Sequence, residues 1–162
     1  MTRPVKENST AVAMIDDYAV AGTFPDKHQL AGDLASALMA IEQVPGIPMF
    51  RRNTAAFVHD LPGDGLSNVD GDSDYVRVQV LTNHCALDRD KQLAVVREFT
   101  AIVARSAGNP ELADRTWVLL TEASDGGWGL GGHAYTDDEL ITAARRRRAP
   151  ARPRRRGGGA AS

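Results

Sequence analysis

The chain has 162 residues, a length that suits one domain or two small similar halves that share a core. It has no apolar run of about 18 residues and no apolar segment at its start, so we expect neither a membrane span nor a secretory signal. Cys85 is the only cysteine, which excludes an intrachain disulfide and predicts a cytoplasmic protein. The net charge of −2 conceals a division, because eight arginines from Arg145 onward leave 11 basic residues against 21 acidic ones elsewhere.

The first half of the chain follows the order strand, helix, strand. Thr10–Val20 is predicted to be a strand, and Thr23 is the predicted N-cap of a helix over residues 25–43. The apolar side chains of that helix recur at 3.6-residue spacing along one face: Leu30, Leu34, Ala37, Leu38 and Ile41. Residues 45–48, which contain two prolines and a glycine, end the helix, and Thr54–Asp60 is predicted to be the second strand.

The second half repeats this order. Tyr75–Thr82 alternates β-branched and polar residues and is predicted to be a strand. Asp88 is expected to cap a helix that ends near Ser106, with four apolar side chains facing inward: Leu93, Val96, Phe99 and Val103. The mostly apolar Thr116–Glu122 is predicted to be a buried strand. The glycine-rich Gly129–Gly132 indicates a short hairpin or a bulged edge.

An internal repeat supports this organisation, because a shift of 63 residues places Gln29 on Gln92 and Arg52 on Arg115. A helix of this length between two strands predicts a right-handed parallel crossover. Two such units predict an α+β fold of tandem β-α-β units, with a four-stranded mixed sheet and two helices on one face. The expected boundaries are an N-terminal extension 1–9, a first unit 10–65, a linker 66–74, a second unit 75–140 and an Arg-rich tail 141–162.

The tail over residues 141–162 is predicted to be disordered, because its arginines repel one another and its prolines and glycines oppose packing. It could bind a nucleic acid or an acidic surface. The alternative is a solvated extension, which we favour because no basic stripe with interleaved aromatic residues accompanies it. Nucleic acid is therefore not an expected partner.

The segment Thr121–Gly132, Thr-Glu-Ala-Ser-Asp-Gly-Gly-Trp-Gly-Leu-Gly-Gly, resembles the C-terminal signature of 4-oxalocrotonate tautomerase-like proteins. In that family a strand ending in Thr-Glu is followed by a turn, an aromatic residue and Gly-aliphatic-Gly-Gly. The chain thus looks like a fused, double-length member of the tautomerase superfamily. The resemblance implies a β-α-β fold, a homotrimer, a catalytic N-terminal proline whose amine is the base, and arginines that bind a keto-acid.

The catalytic proline of that family is missing here. Its position corresponds to Ala13 in the first half and Val76 in the second, and an internal residue has an amide nitrogen that is not basic. Another group must then accept the proton. The Thr2 amine would be chemically admissible, since an α-amino group titrates near pH ~7.7–8.0. The candidate side chains are Asp17, Tyr18, His84 and Cys85, from a wider set that includes Asp16, His59, Asp60 and Glu122.

Four arginines and a tryptophan are the candidate substrate-binding residues: Arg51, Arg52, Arg77, Arg115 and Trp128. A guanidinium group suits a carboxylate, and Trp128 matches the aromatic residue that lines the pocket in the resembled family. Alternatively, the arginines offset acidic neighbours such as Asp114 and Asp74 across subunits, and Trp128 is a packing or trimer-interface residue. The family's own binding arginines correspond here to Thr54, Trp117 and Ala86, so they are not preserved, and Trp117 is expected in the core.

The sequence has no HxH, HExxH or CxxC spacing, no GxGxxG after a strand and no P-loop. We therefore predict neither a metal site nor a cofactor. The leading hypothesis is a cofactor-independent isomerase that acts on an enolisable carbonyl or carboxylate compound by proton transfer or cyclisation. The alternative is a non-catalytic protein of the same fold that binds a ligand or a partner.

Overall fold

The computed structural model describes residues 12–44 and 46–148. Its main element is a four-stranded mixed sheet whose strands are β1 (Ala13–Val20), β2 (Thr54–Leu61), β3 (Val76–Thr82) and β4 (Thr116–Glu122). The spatial order is β2-β1-β3-β4. β1 pairs with β2 and β3 with β4 in parallel, whereas β1 and β3 are antiparallel and join the two units at the centre. The predicted α+β fold with a mixed sheet of tandem β-α-β units is confirmed.

The helices are α1 (Lys27–Glu42), α2 (Pro48–Arg52), α3 (Arg89–Ala107) and α4 (Asp137–Arg148), with a 3₁₀ helix at Pro110–Arg115. The predicted hairpin is present as β5 (Trp128–Leu130) and β6 (His133–Tyr135). Gly131 and Gly132 form its turn with φ of 59° and 85°, a left-handed conformation that favours glycine. None of the helices within the described residues is long and apolar enough to cross a membrane.

The main core lies between the sheet and the two long helices. Its buried side chains alternate along the strands and recur along α1 and α3: Ile15, Val76, Val78, Val80, Leu30, Leu34, Leu38, Val95, Phe99, Ile102 and Val103. The prediction that Leu93 and Val96 face inward is wrong, since they are 48% and 39% exposed. Val95 and Ile102 are buried instead. Both sets have three- and four-residue spacing, so the spacing alone does not choose between the two neighbouring faces of α3.

The helix caps explain where α1 and α3 begin. Asp88 caps α3 as predicted, and its carboxylate accepts a hydrogen bond from the Lys91 N–H at 2.9 Å. The prediction that Thr23 caps α1 is wrong, because Asp26 does so by accepting from the Gln29 N–H at 3.0 Å. The Thr23 hydroxyl instead donates to the Val20 carbonyl at 2.6 Å and closes the turn after β1.

A second apolar cluster lies at one end of the sheet, beneath α4. Leu140 and Ala144, one turn apart on α4, are buried there with other side chains: Val12, Met49, Phe50 and Trp128. The predicted disorder is therefore wrong for residues 141–148, because burial of this apolar stripe outweighs arginine repulsion. Residues 149–162 of the predicted tail lie outside the described residues, as do the N-terminal extension and Thr10.

On the other face of the sheet, Met14 packs against the second apolar cluster, and the rest of that face is not covered by the described residues. Its side chains include four large apolar groups that are at least one-third exposed: Phe57, Leu81, Trp117 and Leu119. We call this surface the open sheet face. The prediction that Trp117 lies in the core is wrong, because β4 is covered only on the side of Val118 and Leu120. Trp117 instead stacks on Tyr75, with ring centroids 4.5 Å apart.

Candidate functional site

Ala13 corresponds to the catalytic proline of the resembled family. It lies at the end of the sheet where β1 and β2 begin and where β3 and β4 end. It pairs with Thr54 of β2 and Thr82 of β3, and Thr82 pairs with Glu122 of β4. Ala13 itself is fully buried. A solvent-accessible group at this end of the sheet must therefore lie beside Ala13, on a flanking strand or loop.

The chain before Ala13 is held in place by hydrogen bonds and apolar packing. The Val12 N–H donates to the Asn83 side-chain oxygen at 3.3 Å, and the Asn83 N–H donates to the Val12 carbonyl at 3.4 Å. Val12 also packs in the second apolar cluster with Leu140 and Trp128. Trp128, a candidate substrate-binding residue, is 7% exposed and lies in this cluster. The cluster thus covers Val12, the residue that directly precedes Ala13.

A group of three reactive side chains lies beside this point, at the ends of β3 and β4. We call His84, Cys85 and Glu122 the triad. The Cys85 sulfur lies 3.2 Å from His84 Nε2, and the Cys85 N–H donates to Glu122 Oε2 at 2.6 Å. One ligand atom from each residue lies within 4.8 Å of the other two, and all three residues are exposed. Cys85 has a φ of 56°, which turns the loop back over Glu122.

A cavity of about 290 Å³ lies on the other flank of Ala13, between α1, α2 and the start of β2. Three polar side chains line it: Ser36, Arg51 and Thr54. The rest of the lining is small or apolar: Ala35, Met39, Ala40, Val44 and Gly46. Thr54 is 6% exposed, and among the described residues its hydroxyl oxygen has no hydrogen-bond partner. The Arg51 guanidinium is the cationic group of this lining, and a guanidinium suits a small anion.

The cavity and the triad are separate sites. Thr54 lies on β2 and Glu122 on β4, which are the two outer strands of the sheet. Adjacent strands are about 4.8 Å apart, so three spacings separate these residues by about 14 Å. A small molecule bound by Arg51 in the cavity therefore does not reach the triad.

Several other candidate residues meet on the open sheet face. The Arg77 guanidinium lies 4.7 Å from the centre of the Tyr18 ring, and Tyr18 stacks on His59 at 4.4 Å. His59 Nε2 lies 2.7 Å from the Asp16 carboxylate. Arg77 is therefore engaged in a cation–π contact and lies on a different surface from the cavity and the triad. Arg52 is exposed at the end of α2.

Arg115 has local acidic and carbonyl partners. Its Nε lies 3.2 Å from the Asp74 carboxylate and donates to the Asp74 carbonyl, and its Nη1 donates to the Glu111 carbonyl at 3.4 Å. These contacts fasten the start of β4 to the preceding linker. They favour the alternative interpretation, in which Arg115 offsets an acidic neighbour, and the neighbour belongs to the same chain.

Two buried carboxyl groups have raised pKa values. Burial raises the pKa of Asp17 from 3.8 to about 7, and Asp17 lies between Val58 and Val78 on the helix-covered face of the sheet. Burial also raises the pKa of Glu42 to about 8, opposed by the positive charge of Lys91. Asp17, a candidate base, is thus enclosed in the core rather than placed at a cavity.

Glu42 and Ser36 went unnoticed in the sequence, although a signal for Glu42 exists. Glu42 continues the four-residue spacing of the α1 stripe after Leu38, so its burial could have been predicted. Ser36 lies on a different face of α1 and has no sequence signal. Glu122 was noted as a titratable residue, but its approach to Cys85 depends on the parallel pairing of β3 with β4.

Comparisons with known proteins are informative only at the level of structure. No protein-family model matches the sequence, and no curated protein sequence matches it. A symmetric trimer of wild-type fused 4-OT is 15% identical with a TM-score of 0.64, over 78% of this chain and 97% of that chain. Pt0534 inactivated by 2-oxo-3-pentynoate is 16% identical with a TM-score of 0.64, over 77% and 96%. Malonate semialdehyde decarboxylase is 19% identical with a TM-score of 0.57, over 80% and 97%. The chain has the tautomerase-superfamily fold, and the fold part of the sequence resemblance is confirmed.

Proposed function

We propose that this protein is a cofactor-independent isomerase of the tautomerase fold, in which the His84–Cys85 pair replaces the proline amine as the proton-transferring group. The observation that carries the proposal is the 3.2 Å separation between Cys85 Sγ and His84 Nε2. The pair is exposed and follows β3, whose last residue, Thr82, pairs with Ala13. It therefore lies at the end of the sheet where the superfamily proline would be.

The proposed chemistry is the transfer of one proton between two carbon atoms of a carbonyl compound. His84 Nδ1, the ring nitrogen that does not contact Cys85, takes the proton from the carbon next to the carbonyl, and the electron pair of the broken C–H bond forms the enolate. The imidazolium then returns the proton to another carbon, which completes the isomerisation. Imidazole suits both steps because histidine ordinarily changes charge between pH 5 and 8. Cys85 would orient the imidazole through the sulfur–nitrogen contact.

Small 2-oxo acids are the proposed substrate class. The structural neighbour Pt0534 is inactivated by 2-oxo-3-pentynoate, which is such an acid. A carbonyl beside a carboxylate makes the neighbouring C–H acidic enough for a histidine to compete for its proton. We place the protein in the cytoplasm, in line with its single cysteine.

The proposal includes a homotrimer. Two observations support it: the open sheet face presents Phe57, Leu81, Trp117 and Leu119 to solvent, and three of the fused 4-OT neighbours are trimers. Exposed apolar patches of this kind often mark protein interfaces. In the assembly the Trp117 ring and the Arg77–Tyr18–His59 stack would contact neighbouring subunits.

Exchange of substrate protons with deuterated water tests the proposal. The carbon next to the carbonyl of a 2-oxo acid is followed by proton nuclear magnetic resonance with wild-type protein, His84→Ala and Cys85→Ser. We expect exchange above the buffer rate for wild type, a loss of at least about 100-fold in His84→Ala, and a smaller loss in Cys85→Ser. His28→Ala removes an exposed histidine elsewhere and should exchange like wild type. Exchange that survives in His84→Ala would show that the proton carrier is a different group.

A second candidate function, non-catalytic binding of a small anion, is favoured by the cavity. The Arg51 guanidinium offers a contact for a carboxylate, and none of the described lining residues is a carboxylate or an imidazole that could act as a base. Titration calorimetry with pyruvate tests it. We expect Arg51→Ala to weaken binding at least tenfold and the adjacent, non-lining Arg52→Ala to leave it unchanged. Pyruvate binding without deuterium exchange would favour this function over the isomerase.

A further inference from the structure

We propose that the triad of His84, Cys85 and Glu122 binds one zinc ion. The triad offers an imidazole nitrogen, a thiolate sulfur and a carboxylate oxygen, which are the three ligand types that zinc takes from proteins. The three atoms lie within 4.8 Å of one another. Zinc was not predicted from the sequence because Glu122 is 37 residues away from Cys85, outside any spacing motif.

One pair of ligand atoms in the triad is already near the spacing of a tetrahedral zinc site. Zinc bonds of about 2.0–2.3 Å place neighbouring ligand atoms about 3.3–3.8 Å apart in a tetrahedron. The observed separation of Cys85 Sγ from His84 Nε2 is 3.2 Å, so these two atoms are already near the required distance. The carboxylate can close its remaining distance by a side-chain rotation, because Glu122 is exposed.

The backbone around the triad holds the ligands in place. Adjacent residues in an extended strand point in opposite directions, but the left-handed φ of 56° at Cys85 brings its side chain to the same side as that of His84. The Cys85 N–H donates to Glu122 Oε2 and orients the carboxylate. Glu122 Oε1 then serves as the third ligand, supported by that hydrogen bond as the ligands of metal sites commonly are.

Three protein ligands leave the fourth tetrahedral position to water or to a small ligand. The triad is therefore an open site rather than a closed structural one. With zinc bound to Nε2, the ring proton would stay on Nδ1, which could then no longer accept a proton from a substrate. Zinc would therefore inhibit the isomerase reversibly, a consequence that rests on the proposed function. The binding itself does not depend on that function.

Metal titration of the full chain tests the inference. Cobalt(II), a coloured substitute for zinc, should bind one ion per chain and give a thiolate charge-transfer band in the near ultraviolet with visible bands typical of a tetrahedral ion. Zinc should displace it. We expect Cys85→Ser to abolish the charge-transfer band, and His84→Ala and Glu122→Gln each to weaken binding at least tenfold.

His133→Ala is the matched control, because His133 forms an exposed pair with Glu139 at 2.7 Å that contains no sulfur. It should bind cobalt(II) and zinc like wild type. The inference is overturned if wild type gives no charge-transfer band, or if zinc affinity is unchanged in all three triad variants. Circular dichroism of each variant separates a lost ligand from a lost fold.

Two outcomes separate this inference from the proposed function. Zinc binding without any deuterium exchange overturns the isomerase and leaves the zinc site standing. Exchange without zinc binding does the reverse. If both hold, exchange should fall in proportion to zinc occupancy and return when a chelator removes the metal.

Discussion

Asp17 makes a strong and specific prediction about stability. Its side chain is fully buried on the helix-covered face of β1, between Val58 and Val78. Neither of its carboxylate oxygens has a hydrogen-bond partner among the described residues. A charged carboxylate in such surroundings is destabilising, and this burial raises the pKa of Asp17 from 3.8 to about 7.

The sign of the pH effect follows from proton binding. Between pH 3.8 and about 7 the folded protein keeps the Asp17 proton while the unfolded chain has released it, so stability falls as pH rises. The slope is about 1.4 kcal/mol for each pH unit, which gives a loss of about 4 kcal/mol over the whole interval. From pH 5 to pH 8 the loss is about 3 kcal/mol, and above that pH the effect is constant.

Chemical denaturation from pH 5 to 8.5 measures this effect. The uncharged Asp17→Asn should lack the pH-dependent loss. The difference in free energy of unfolding, variant minus wild type, should therefore be about 3 kcal/mol larger at pH 8 than at pH 5. Glu42, whose pKa is also raised, is present in both proteins and cancels. Asp64→Asn removes an exposed acid and should run parallel to wild type. Parallel profiles for Asp17→Asn and wild type would refute the reasoning.

Three further predictions concern assembly and packing. Trp117→Glu, on the open sheet face, should give a mass near one chain by light scattering, whereas Val69→Glu in the exposed linker should not; a one-chain mass for wild type would contradict the trimer. Leu140→Ala should lower the free energy of unfolding by about 2–5 kcal/mol, measured by urea denaturation, while the exposed Thr142→Ala leaves it nearly unchanged. Asp88→Ala should cost about 1 kcal/mol in the same assay, because the Lys91 N–H loses its partner.

The repeat and the strand boundaries were predictable because they depend on local patterns. Alternation along Val76–Thr82 and the cap at Asp88 are readable from single segments, and both are confirmed. The buried face of α3 could not be predicted in this way. Leu93 and Val95 both fit helical spacing, and only contact with the sheet decides which of them is buried. Whether residues 141–148 form part of α4 likewise depends on a partner distant in sequence, the cluster around Val12.

The candidate site was less predictable than the fold for the same reason. His84 and Cys85 are adjacent in sequence, so they could be proposed together as a candidate pair, and the structure shows them in contact. Glu122 joins it only through the pairing of β3 with β4. The cavity is formed by residues of α1, α2 and β2 together. No sequence pattern indicates that the Thr54 hydroxyl beside it is buried without a hydrogen-bond partner.

The burial of Ala13 restricts where chemistry can take place. A proline introduced there would carry a non-basic amide nitrogen buried in the main core, so Ala13→Pro would not restore a base. A group that acts at this end of the sheet must therefore lie on one of its two flanks. The flanks offer different chemistry, since the triad can carry a proton but the cavity has only a cation and hydroxyl groups. Because about 14 Å separates the cavity from the triad, one small substrate could not contact both sites. Loss of function in His84→Ala but not in Arg51→Ala would thus identify an enzyme, and the opposite pattern would identify a binding protein.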